Sequence, residues 1–67
     1  MEIYQNICCD LSKIISLNNP PYLRVHLIFL LACEETRLHY AGSINDSEHF
    51  DFQTRCQQLM LISPNQQ

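Results

Sequence analysis

The sequence predicts an all-α protein, an antiparallel helical hairpin at about 21–41 and 47–62 preceded by a shorter N-terminal helix at about 3–17. Three observations carry that prediction. Apolar residues recur at helical spacing in three stretches. Breaks rich in Asn, Pro, Gly and Ser separate them. The second break is short enough that its flanking helices must lie antiparallel.

In the first helix Ile3, Ile7, Leu11, Ile14 and Ile15 fall on one face. Asn18-Asn19-Pro20-Pro21 ends it, because asparagine tolerates a left-handed terminal conformation and the residue before a proline is pushed away from helical geometry. The same tetrad opens the next helix, with Asn19 expected as N-cap and proline suited to a first turn where its missing N–H has no partner to lose.

The second helix carries Leu23, Leu27, Leu30, Leu31 and Leu38 on one face, and Val25, Ile28, Phe29 and Ala32 widen that face. From Val25 to Cys33 it is apolar all round, whereas a helix on a small domain needs only one apolar stripe. Its N-terminal half therefore reads as the part built for dense packing, and Gly42, the only glycine, as its stop.

Ser43-Ile44-Asn45-Asp46-Ser47 is a turn in which Asp46 or Ser47 is expected to cap the third helix, and Glu48 and Asp51 suit the positive end of that helix's dipole. Phe52, Cys56, Leu59, Met60 and Ile62 form its stripe, which Phe50 extends. Ser63-Pro64 closes it ahead of an Asn65-Gln66-Gln67 tail expected to fray.

A single domain of 67 residues leaves only ~3 to 5 kcal/mol of core stability without a staple or partner. Charged residues make up 16% of the chain and apolar ones 46%, so the surface is under-charged for a free monomer. A net charge of −3, with Lys13, Arg24, Arg37 and Arg55 scattered singly, argues against nucleic-acid binding. The uninterrupted apolar run Leu27 to Cys33 is too short for a membrane span, and Met1-Glu2-Ile3-Tyr4-Gln5 does not read as a secretory signal. The expected location is the cytoplasm, where the four cysteines stay thiols and fit as small buried hydrophobes.

No Cys-x-x-Cys or His-x-x-x-His pair gathers Cys8, Cys9, Cys33, Cys56, His26, His39 and His49 into a metal site, and neither metal nor cofactor is expected. A Cys-His nucleophile pair needs an orienting group and a concave pocket, which three short helices hardly offer, so no catalytic residue is expected either. His26 reads as a packed or interface histidine, and Glu34-Glu35 beside Arg37 as solvated helix surface.

Leu23-Arg24, Leu27, Leu31, Cys33 and Leu38, then Gly42, then Glu48-His49-Phe50-Asp51-Phe52-Gln53 and Leu59 to Ile62 together resemble the hairpin of the small co-chaperones of type III secretion needle subunits, the YscE, PscE and EscE-like family. The resemblance spans about residues 22 to 62. It implies a non-enzymatic cytosolic protein that pairs with a tetratricopeptide-like chaperone and, through it, helps keep a needle subunit unpolymerised before export. The partner-binding residues it implies are Leu23, Leu27, Leu30, Leu31, Leu38, Phe50, Phe52, Leu59 and Ile62. The alternative, from a different class, is a homo-oligomeric helical bundle in which the second helix packs against copies of itself.

Overall fold

The computed structural model describes residues 2–61 and is all-helical: α1 (Ile3–Ser16), α2 (Pro21–Tyr40) and α3 (Asp46–Leu61). Met1, Ile62, the Ser63-Pro64 stop, the tail and the side chains of Met60 and Leu61 lie outside the description. The Tyr4 hydroxyl at the start of α1 donates to Asp51 near the start of α3. At the other end Leu11 and Ile15 of α1 share a groove with Arg55 and Leu59 of α3. The two helices therefore run the same way, with α2 antiparallel to both and packed against each. This fixes α1, which the sequence left without a place, as the third member of an up-down-up bundle.

The core takes Ile7 and Leu11 from α1, Ile28 from α2, Phe52 from α3 and Ile44 from the turn between α2 and α3. Tyr4, Ile14, Leu31, Ala32, Leu38, Cys56 and Leu59 lean on it, half-buried. Ile44 was expected only as a turn residue, yet it is among the most buried side chains of the molecule.

The backbone around Ile44 explains that depth. Gly42 adopts a φ of 86°, which only glycine enters freely, and the chain reverses there. The Ser43 N–H donates to the Leu38 carbonyl at 2.9 Å and the Gly42 N–H to the His39 carbonyl at 3.0 Å, the paired bonds of a Schellman stop. The chain then points inward at Ile44 before α3 begins.

Three expected helix ends are corrected. The cap of α3 is Asn45, in place of Asp46 or Ser47: its Oδ1 accepts the Glu48 N–H at 2.8 Å while Glu48 Oε1 accepts the Asn45 N–H at 3.1 Å, a reciprocal box. At α2 the N-cap is Pro20 rather than Asn19, with no side-chain bond. The Pro20 carbonyl takes the Leu23 and Arg24 N–H groups at 3.1 and 3.0 Å. And α1 ends on an extended Leu17, φ −75° and ψ 141°, so no left-handed asparagine is used. Pro20 and Pro21 then exclude further helix without help from a cap.

Candidate interaction surface

A helix packed on two neighbours has an inner and an outer side, and the two sides of α2 differ in chemistry. Inward lie Leu27, Ile28, Leu31, Glu35 and Leu38. Outward lie Tyr22, Val25, His26, Phe29, Leu30, Cys33, Arg37 and Tyr40.

The inner side holds the one buried charged residue among those described. Glu35 is 1% exposed, and both its carboxylate oxygens accept from Nδ1 of His49 on α3, at 2.9 and 2.8 Å. The His49 ring stacks on His39 with centroids 4.0 Å apart and planes 4° from parallel, and Nε2 of His39 meets Asp46 Oδ1 at 2.7 Å. The expectation that Glu35 is solvated surface is thereby overturned, while Glu34 does face water and pairs with Arg37 at 2.6 Å. Helical geometry is the reason: Glu34 and Glu35 are neighbours in sequence but about 100° apart around the axis. No buried side-chain nitrogen or oxygen among the described residues is left unpaired.

This polar corner ties α2 to α3. Among the described residues no three His, Cys, Asp or Glu groups are placed to hold a metal ion. Cys56, the thiol lining the adjoining groove with Glu35, is pushed up from its ordinary pKa by burial and then by the Glu35 charge. That leaves it protonated and a poor nucleophile.

A second polar contact ties α1 to α3. Burial, then the bond to Asp51, pushes the Tyr4 phenol upward, and the bonds from Tyr4 and then Arg55 hold the Asp51 carboxyl below its usual range. Arg55 donates to Asp51 Oδ2 at 2.8 Å and is raised in turn, chiefly by that bond.

The outer side is apolar and uncovered. Tyr22, Phe29 and Tyr40 are 78%, 61% and 84% exposed, with Val25 and Leu30 about half exposed. Tyr22, His26, Phe29, Cys33 and Tyr40 lie exposed along this side with Arg37 beside them, while Thr36 is half-buried and lines the groove with Phe52 and Cys56 of α3. His26 thus stands on the surface rather than packed. Cys9 and Cys33 are exposed and Cys8 and Cys56 half-buried, so none of the four thiols is the fully buried hydrophobe expected.

The nine residues implied as partner-binding do not form one surface. Phe52 fills the core, Leu31, Leu38 and Leu59 lean on it, and Leu23 and Leu27 are half-buried. Leu30 and Phe50 face water, and Ile62 lies outside the described residues. Leucine count selected the inner side of α2. The aromatic, histidine and cysteine residues exposed on the other side did not stand out by residue type.

Among the described residues no helix is long and apolar enough to cross a membrane. Compared with family models, curated proteins and solved structures, the chain matches none.

Proposed function

We propose that this chain is a non-enzymatic interaction module of the cytoplasm, a co-chaperone that pairs with a tetratricopeptide-like chaperone and helps keep a type III secretion needle subunit unpolymerised before export. The observation that carries the interaction reading is the outer side of α2, where Tyr22, Val25, Phe29 and Leu30 stand in water along its N-terminal half and Tyr40 at its far end. The co-chaperone role rests on the hairpin's resemblance to that family. A helical-repeat partner fits physically, since its helices offer the grooves into which such a face packs.

A filament subunit carries self-association surface, and a chaperone pair that covers this surface holds the subunit monomeric by mass action. Within such a pair the small member supplies apolar area to its larger partner, which matches a chain whose longest helix is covered on one side only.

Co-expression with the tetratricopeptide-like chaperone and needle subunit of the same genome tests the reading. The expected result is co-elution of this chain with the chaperone in equal amounts and a rise in soluble chaperone. Phe29→Asp should abolish both. A chaperone whose solubility and elution ignore this chain would overturn the reading.

A further inference from the structure

We infer that the stacked rings of His39 and His49 make the turn between α2 and α3 a proton-sensitive clasp, which one added proton tightens and a second loosens.

The hydrogen bonds set where the ring protons sit. His49 donates from Nδ1 to Glu35, and His39 donates from Nε2 to Asp46. With those two protons both rings are neutral, and a further proton has only Nε2 of His49 or Nδ1 of His39 to go to. His39 stands in the last turn of α2 and His49 in the first turn of α3. Their stack, with centroids 4.0 Å apart and planes 4° from parallel, therefore joins the two helices across the turn that carries Ile44.

The two carboxylates are not equivalent. Glu35 is 1% exposed, so a charge on His49 meets it with little water between them. The Asp46 side chain is 100% exposed, and solvent screens it from His39. The first added proton therefore belongs to His49, where it answers a buried carboxylate while His39 stays neutral. The second goes to His39, 4.0 Å from the first, on rings only 21% and 20% exposed. Like charges so placed repel, and screened Asp46 offsets little of that repulsion. In the unfolded chain the rings are apart, so that state takes the second proton more easily and gains on the fold.

The remaining charges around the corner are otherwise engaged. On α2, Arg37 is bound to Glu34 at 2.6 Å. On α3, Glu48 accepts the Asn45 N–H at 3.1 Å, and the Cys56 thiol stays protonated beside Glu35. From α1, Glu2 and Tyr4 share a groove with Glu48, and Tyr4 is bonded to the Asp51 that Arg55 also holds. Imidazole changes charge between about pH 8 and 5. Both steps thus fall above the range in which Asp51, lowered from 3.8, titrates.

A proton NMR titration of the full chain from pH 8 to 5 tests the coupling, with His26, exposed on the outer side of α2, as the single-step reference. The Hε1 resonances of His39 and His49 should each show two steps, separated by roughly one pH unit or more. Melting followed by circular dichroism should give its highest midpoint between the steps and lose about 4 to 8 °C beyond the second. His39→Gln keeps an N–H donor for Asp46 and removes one ring charge. It should leave His49 a single step and abolish the acid loss. Independent single steps for the two rings, a melting midpoint that does not fall past the second step, or a fall that persists in His39→Gln would each overturn the inference.

Discussion

On a single helix, six residues apart, a carboxylate is sealed from solvent and a phenyl ring stands in it: Glu35 is 1% exposed and Phe29 is 61% exposed. Around Glu35, the corner of α2 and α3 has every element in place, with Phe52 lining the same groove, Ile44 buried in the core, His49 bonded to the carboxylate and both helix ends closed. Around Phe29 the helix has neighbours behind and none in front. Residue type does not decide burial here. What decides it is the side of α2 on which α1 and α3 arrive, and Pro20-Pro21 and Gly42 fix that by setting where the chain turns.

The largest effect belongs to the corner. Phe52→Ala removes the biggest fully buried side chain and should cost ~3 to 5 kcal/mol. That is about the whole stability of a domain this small, and the variant should show no cooperative melt by circular dichroism. A well-folded Phe52→Ala protein would mean that the corner is not the seat of stability.

Next comes the Glu35–His49 bond. His49→Ala leaves Glu35 without its donor in a site closed to water and should cost ~1 to 3 kcal/mol, somewhat reduced because His49 is itself 20% exposed. Replacing both, Glu35→Met with His49→Leu, should be nearly neutral, because a buried polar pair exchanged for packed apolar groups loses little. A double variant as unstable as His49→Ala would show that the pair does more than satisfy itself.

Much of the fold was legible in the sequence because helices, stops and antiparallel order follow from local chemistry: apolar spacing, Pro-Pro and one glycine. The placement of burial was not, for a physical reason. From Val25 to Cys33 both sides of α2 are apolar, so periodicity carries no phase, and the dense segment divides between core-facing Leu27, Ile28 and Leu31 and water-facing Val25, Phe29 and Leu30. Beyond it the pattern turns polar, and Glu35 reads as surface unless His49, fourteen residues away, is known to arrive opposite it. Ile44 was hidden by its turn-forming neighbours. Asn45 was overlooked beside Asp46 and Ser47, although Asn45 with Glu48 spells the reciprocal cap.

That cap gives a smaller effect. Asn45→Ala strands the Glu48 N–H and should cost about 1 kcal/mol, read as a lower melting temperature with the bundle otherwise intact. Smaller still is the tie between α1 and α3, whose contribution depends on pH. Asp51 is lowered from its ordinary 3.8, so the stability it contributes is present above that value and is lost as pH falls through its folded value. Tyr4 is raised from 10.0, so its contribution is present below pH 10 and is lost at more alkaline pH. Tyr4→Phe should therefore unfold at a higher pH than the parent on the acid side and lose the extra alkaline dependence. It should keep the part of the Asp51 effect that Arg55 supplies.

The smallest effect on the folded chain itself should come from the most conspicuous apolar residues. Val25→Ser combined with Phe29→Ser removes greasy surface from water and no contact from the core, so the monomer's stability should change by no more than ~0.5 kcal/mol. Parent and double variant should therefore melt at the same temperature in dilute solution, read by circular dichroism. If the variant instead melts well below the parent at every dilution, the outer side of α2 supports its own chain, and the division between a sealed corner and an open side fails.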